Sequence, residues 1–209
     1  MEHGHDVALG TRDVAKLAEF AAAHPTARIG STAEAAAFVE LAVLAVKGSA
    51  ALETLRGVAA QLAGKTVVDT CNPIADAPPT DGVLSYFTGS NDSLLEQLQR
   101  EFKAVKLVKS FSSVGTLGMV NPKFTGGPPT MFIAGDDAAA KAAVTTLLTQ
   151  FGWEAADMGP AIAARAIEPL CMLWCIPGFV ANDRMHAFKM LRGRRRRQPQ
   201  QPSQRSGRQ

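Results

Sequence analysis

Polar residues that could bind a charged ligand stand directly after three short apolar stretches of this chain. The three loops are Gly10-Thr11-Arg12, Val46-Lys47-Gly48 and Cys71-Asn72-Pro73. The first combines a hydroxyl with a guanidinium, whose paired N–H donors match the oxygens of a phosphate group. This combination predicts a phosphate-binding turn, and the alternative is an ordinary polar turn with Arg12 in solvent.

The apolar stretches alternate with helical patterns along most of the chain. Leu41–Val46 is a continuous apolar run, typical of a parallel strand covered by helices on both faces. Ser31 and Glu34 have capping-box spacing, which predicts the start of a helix. The order of elements predicts an α/β fold with a doubly wound, mostly parallel sheet. The predicted strands are 7–9, 27–30, 41–46, 66–70, 105–111, 130–134 and 153–157, and the longer predicted helices are 14–24, 50–62, 92–102 and 137–151.

Loops that leave parallel strands open on one edge of the sheet, where ligands bind in such folds. In dinucleotide-binding folds an acidic residue after the second strand binds the ribose 2′-hydroxyl of NAD, whereas an arginine there accommodates the 2′-phosphate of NADP. Thr11 and Arg12 therefore favour NADP(H). The other cofactor-binding residues predicted in these loops are Ala45, Val46, Lys47, Asn72 and Pro73.

The composition excludes several classes of protein. With 209 residues, of which 46% are hydrophobic, the chain can form one sizeable domain with a core. No apolar run approaches the roughly 20 residues that span a bilayer, and the first residues lack a secretory signal pattern. Three cysteines, an odd number, indicate a reducing compartment. We therefore expect a cytoplasmic protein with no membrane partner.

Cys171 and Cys175 lie four residues apart in an apolar helical pattern and should share one face of a helix. A metal or redox pair is one interpretation. Small buried hydrophobic side chains are the favoured one, because no other cysteine or histidine stands at ligand spacing. We predict no metal ligand in this chain.

Arginine is concentrated at the carboxyl terminus. Residues 192–209 hold seven arginines and no acidic residue, which leaves 15 basic and 19 acidic residues in the rest of the chain. We predict a domain over 1–192, ending in helices, and a disordered Arg-rich tail over 193–209. No aromatic residue interleaves with these arginines, so we do not expect a nucleic-acid partner.

Seven motifs follow one another along the chain: GHDVALGTRD, LAVLAV, KTVVDTCNP, LVKSFSSVGTLGMVNP, PTMFIAGDDAAAKAAVTTLLTQFGWEAADMGP, RAIEPLCMLW and NDRMHAFKML. Their order and spacing resemble the NADPH-dependent deazaflavin (coenzyme F420) reductase family of NADP oxidoreductases and its bacterial dinucleotide-binding relatives. The likeness runs from about Gly4 to Arg192. It implies a Rossmann-like oxidoreductase that transfers a hydride between NADP(H) and a deazaflavin or another small redox acceptor. Such a transfer needs two rings face to face and no obligatory nucleophile, so no catalytic side chain is assigned.

The resemblance also implies where the nicotinamide side of the site lies. The expected wall is the loop Lys109–Gly115, in which Ser112 and Ser113 stand where related sequences commonly have asparagine and threonine. Trp174, with Met172, could line an acceptor pocket, or belong to the core or to a homodimer face. His186 is expected on a terminal amphipathic helix in a structural role.

Members of the family begin with a strand, a GxGxxG turn and a helix, and this chain contains no GxGxxG. One explanation is a start at an internal methionine of a longer protein. The other is a truncated, non-catalytic homologue that acts as an interaction or structural protein. In both cases the strands at 7–9 and 41–46 must pair directly, tolerate a gap or recruit a strand from another chain. We expect the 209-residue form to be marginally stable or self-associating, and to bind NADPH poorly.

Overall fold

The computed structural model describes residues 1 and 3–193, so the predicted tail from residue 194 onward lies outside the described residues. Strands and helices alternate as predicted. The strands are β1 Ala8–Gly10, β2 Arg28–Gly30, β3 Leu41–Leu44, β4 Thr66–Asp69, β5 Lys106–Lys109, β6 Thr130–Ile133 and β7 Glu154–Asp157. The helices are α1 Ala18–Ala23, α2 Thr32–Phe38, α3 Gly48–Arg56, α4 Ala59–Leu62, α5 Leu94–Glu101, α6 Ala138–Gln150, α7 Ala164–Ile167 and α8 Pro169–Ala181.

Every strand ladder among the described residues is parallel. β1 pairs with β2, β4 lies between β3 and β5, and β6 pairs with β7. Leu44, Asp69 and Lys109 are aligned across the three-stranded sheet. The loops that follow β3, β4 and β5 therefore leave from the same edge. This confirms the prediction for the loops after β3 and β4, whereas the Gly10-Thr11-Arg12 loop follows a strand of a separate sheet.

Helices cover both faces of β4 and β5, which is the doubly wound arrangement. On one face Val67 and Leu107 pack with α3 and α5, and on the other Val68 and Val108 pack with α6. The side chains of these inner strands are almost fully buried. The core is therefore centred on β4 and β5.

One edge of β1 and one edge of β3 have no ladder partner among the described residues. Of the three arrangements considered for these strands, direct pairing of β1 with β3 is absent among the described residues. The expectation that helices cover both faces of β3 is wrong at Val43, because this residue is 55% exposed.

Helix boundaries follow the capping and turn residues. The capping box of Ser31 and Glu34 forms as predicted and starts α2. The predicted helix 50–62 divides after Arg56 into α3 and α4, and the predicted helix 14–24 begins as a 3-10 turn over Val14–Leu17.

The predicted terminal helix that would carry His186 is wrong. α8 ends at Asn182, whose φ of 53° places it in the left-handed region that commonly ends helices. The chain then runs without helix alongside β6, where the Thr130 N–H donates to the Phe188 carbonyl and the Met190 N–H donates to the Thr130 hydroxyl.

One described stretch, Ala161–Ala181, is long and apolar enough to cross a membrane when judged by length and composition alone, with a mean hydropathy of 1.3. The sequence-based expectation concerned uninterrupted apolar runs, none of which approaches 20 residues. Arg165 and Glu168 interrupt this one. Arg165 is paired with Glu96, and Glu168 is buried against α5. The first part of the stretch is therefore anchored to the domain itself.

Candidate functional site

The loops after β3 and β4 lie against each other at the carboxyl edge of the sheet. The Cys71 thiol donates to the Leu44 carbonyl at 3.4 Å. At Gly48, the first residue of α3, an added Cβ would lie 2.0 Å from the Asn72 carbonyl oxygen, so a residue with a side chain would force the loops apart. The structure thus brings the second and third predicted loops together. Pro73 is buried there, whereas Ala45, Val46 and Lys47 are exposed.

The loop after β5 joins the same edge through Asn72. The Asn72 side-chain amide donates to the Ser112 carbonyl at 2.9 Å. Three buried polar atoms here have no hydrogen-bond partner among the described residues: Asn72 Oδ1, Ser110 Oγ and Ser112 Oγ. An unpaired buried polar atom costs about 1–3 kcal/mol, so three of them in neighbouring loops need an explanation, and a polar ligand would supply one.

Phe111 sets the direction in which the chain enters this loop. Its φ of 55° is unusual for a bulky residue and stores backbone strain. The ring is buried and packs edge-on against Trp153 with ring centroids 6.4 Å apart. The hydrophobic core therefore holds the strained turn that leads to Ser112.

A buried ionic cluster of Lys109, Asp69 and Glu168 lies next to the site loops. The sequence analysis did not identify it. Lys109 Nζ lies 2.6 Å from Asp69 Oδ2 and 3.0 Å from Glu168 Oε1, and the Lys109 side chain is fully buried. Burial opposes the positive charge, but the two carboxylates more than offset it, so the pKa of Lys109 lies above its ordinary value. Charged residues at aligned positions in two apolar strands are the sequence signal that could have indicated this cluster.

The ionic cluster fixes the backbone of the loop after β4. Asp69 Oδ1 accepts the Cys71 N–H at 2.9 Å, and Lys109 Nζ donates to the Cys71 carbonyl at 2.7 Å. Glu168 accepts the N–H groups of Leu94 and Leu95 at the start of α5, each at 3.0 Å. Because both backbone groups of Cys71 are bonded to the cluster, the adjacent Asn72 is held in place.

Cys71 is not a nucleophile at this edge. Burial raises the pKa of Cys71 to about 12, so its thiol stays protonated at neutral pH. The neighbouring thiols of Cys171 and Cys175 interact, which lowers the pKa of Cys175 to about 7 and raises that of Cys171. Within the described part of the chain no group of three His, Cys, Asp or Glu side chains could hold a metal ion.

Thr11 and Arg12 lie apart from the other predicted site residues. The Thr11 N–H donates to the Gly30 carbonyl at 3.0 Å, and its hydroxyl bonds to the backbone of Asp13. Arg12 is exposed and forms no ion pair within residues 3–193. Both side chains stand at the carboxyl end of β1, but no described hydrogen bond links them to the loops after β3, β4 and β5.

Comparisons with known proteins define the relationships of this chain. The family described as "NADP oxidoreductase coenzyme F420-dependent" matches residues 1–73. A crystal structure from Arthrobacter sp. FB24, of a protein designated a candidate F420-dependent NADP reductase, is 34% identical and has a TM-score of 0.85, covering 91% of this chain and 90% of that one. This chain belongs to the F420-dependent NADP oxidoreductase family. Family membership confirms the resemblance and the Rossmann-like fold inferred from the sequence.

More distant structures share the fold of this F420-dependent NADP oxidoreductase family member. An imine reductase from Streptomyces aurantiacus is 16% identical with a TM-score of 0.61, covering 86% of this chain and 56% of that one. A reductive aminase from Aspergillus terreus, solved in complex with NADPH and ethyl levulinate, is 17% identical with a TM-score of 0.59, covering 87% of this chain and 56% of that one. This chain therefore spans little more than half of either protein. A comparison with curated proteins found no match.

Proposed function

We propose that this protein is an oxidoreductase that transfers a hydride between NADP(H) and a small redox acceptor, with a deazaflavin of the coenzyme F420 type as the first candidate. Membership of the F420-dependent NADP oxidoreductase family supports the reaction class. The bound nicotinamide would supply the hydride. The contribution of this chain would be to hold two rings face to face in a site from which water is excluded.

The observation that carries the proposal is the set of buried polar atoms without a described hydrogen-bond partner, called orphaned atoms below, at Asn72 and Ser112. A nicotinamide carboxamide offers N–H donors and a carbonyl acceptor. Asn72 Oδ1 can accept from such a donor, and the Ser112 hydroxyl can donate or accept. These residues therefore fit the group, and binding it would relieve the cost of leaving their polar atoms unpaired.

The remaining predicted residues would bind the other parts of the cofactor. Arg12, with Thr11, would bind the 2′-phosphate, because its guanidinium is exposed and has no ion pair within residues 3–193, so it can bind a dianion. Lys47 and the exposed backbone of Ala45 and Val46 would lie along the cofactor between its two ends. The ionic cluster under Cys71 would keep the nicotinamide end preorganised.

The proposal is tested by titrating the protein with NADPH and NADH, up to millimolar concentrations, in an isothermal calorimeter. Replacement S112A removes one orphaned hydroxyl and should weaken NADPH binding about tenfold. The control is S113A, since Ser113 is also buried but its hydroxyl is not one of the orphaned atoms, and it should change the affinity less than twofold. Absence of saturable NADPH binding, or equal affinities in all three proteins, would contradict the proposal.

A second candidate function is a non-catalytic interaction protein. The observation that favours it is that one edge of β1 and one edge of β3 have no strand partner in the part of the chain that the structure describes. Val43 on β3 and Val46 just after it are both exposed. An open strand edge can accept a strand from a partner. Concentration-dependent association in sedimentation experiments without cofactor, combined with no nicotinamide binding, would select this function over the first.

A further inference from the structure

Trp174 on α8 touches the loop that carries Ser112. A Cβ added to Gly115 would lie 2.8 Å from the edge of the Trp174 six-membered ring. A glycine at this position therefore lets the indole lie directly against the loop backbone. α8 and the edge of the candidate site meet at this contact.

The indole is fixed from its other sides by the segment after α8. Trp174 Nε1 donates to the His186 carbonyl at 2.9 Å, and His186 Nε2 lies 2.9 Å from the Trp174 carbonyl. The His186 ring stacks on one face of the indole, with centroids 5.0 Å apart. Trp174 is only partly buried, and His186 is the one aromatic ring that the described residues place against it. The indole is therefore held in a fixed position beside the loop.

We propose that the face of Trp174 opposite the His186 ring stacks on the conjugated ring of the hydride acceptor and makes Trp174 a specificity-determining residue for planar acceptors. The inference rests on the proposed function, because it takes the loop from Ser112 to Gly115 as the wall beside the nicotinamide. Hydride transfer requires the acceptor ring to lie face to face with the nicotinamide. The acceptor must therefore occupy space next to this wall, where a fixed indole favours flat aromatic molecules.

The test measures binding of 5-deazariboflavin to the full chain by calorimetry, in the presence of NADP⁺. Replacement W174A should weaken deazariboflavin binding about tenfold, which corresponds to about 1.4 kcal/mol. Replacement W174F keeps an aromatic face and should stay within about threefold of the wild type. The matched control is F179A, because Phe179 is an exposed aromatic residue on the same helix. It should leave the affinity unchanged.

Two results would overturn the inference. The first is equal deazariboflavin affinity in W174A and the wild type, or no binding by either. The second is a loss of deazariboflavin affinity in W174F as large as that in W174A. Both variants lack the Nε1 hydrogen bond to His186, so this result would assign the effect to that bond and its role in the fold, and not to stacking. A separate titration with NADP⁺ alone distinguishes the two failures. Absence of NADP⁺ binding contradicts the proposed function and the inference with it, whereas NADP⁺ binding with equal deazariboflavin affinity in W174A and the wild type contradicts only the role of Trp174.

Discussion

The two sheets that flank the candidate site are built alike but packed very differently. β1 and β2 form a parallel pair in which no residue is buried, and Ala36 is the first buried residue along the described chain. In β4 and β5 three of every four residues are buried. Similar local sequence signals thus produce strands in both regions, while only one region contains a core.

This difference separates the two ends of the proposed cofactor site. The nicotinamide end rests on the ionic cluster of Lys109, Asp69 and Glu168, whereas the phosphate-binding residues Thr11 and Arg12 stand on the weakly packed β1–β2 pair. Regions with few buried contacts open at lower free energy than the core. We therefore expect mutations in the β3–β5 sheet to change global stability, and mutations in the β1–β2 sheet to change mainly local order and phosphate binding.

The largest effect is expected for Lys109→Met, which leaves Asp69 and Glu168 buried without their cation. Breaking a buried ion pair in this way should lower the free energy of unfolding by about 3–5 kcal/mol, measured by urea denaturation at neutral pH. The control is Lys106→Met on the same strand, where Lys106 forms a partly exposed pair with Asp137. That change should cost less than about 1 kcal/mol. Equal losses in the two variants would show that the cluster contributes nothing specific.

The next largest effect is expected from supplying a partner to the open edges of β1 and β3. Fusing a strand–GxGxxG–helix segment to the amino terminus should pair both edges and add backbone N–H groups for the diphosphate. We expect NADPH affinity to rise about 100-fold, or about 2.7 kcal/mol, together with a higher thermal midpoint. A matched segment in which the glycines are alanines should restore stability but not affinity. No change in either property would contradict the assignment of β1 as the second strand of a dinucleotide-binding fold.

Replacing Arg12 by alanine tests the phosphate end of the site. In the fused protein, Arg12→Ala should weaken NADPH binding by about 1.5–3 kcal/mol and NADH binding far less, because only NADPH carries the 2′-phosphate. Lys16→Ala, which removes a nearby exposed positive charge, provides the control and should affect the two cofactors equally. Equal weakening of NADPH and NADH by Arg12→Ala would refute the assignment.

The smallest effect is expected from removing the serine of either of two capping boxes that have the same residue types. Ser93 and Glu96 start α5 in the core, and Ser31 and Glu34 start α2 beside the β1–β2 pair. Ser93→Ala should lower the global free energy of unfolding by about 1 kcal/mol. Ser31→Ala should leave it nearly unchanged while increasing amide hydrogen exchange in α2. Identical global losses would mean that the two regions unfold as one unit.

Much of the local structure could be predicted from the sequence because its causes are local. The strand before Thr11, the capping box at Ser31 and the helices around the parallel strands all follow from apolar periodicity, turn residues and side-chain caps. The common edge of the loops after β3 and β4 also followed, since parallel strands require it. The terminal helix did not, because a left-handed Asn182 ends α8 and the next residues bond to β6 instead.

The sequence by itself determined the strands, most of the helices and the common edge of the loops after β3 and β4, because periodicity and capping act over a few residues. Only the tertiary structure decided that Lys109 meets Glu168, which lies 59 positions later, that Trp174 rests on Gly115, and that the polar atoms of Asn72 and Ser112 are buried without partners. Each of these features depends on contacts between residues that are distant in the chain. Burial and charge pairing depend on which side chains the fold brings together, and no local pattern records that.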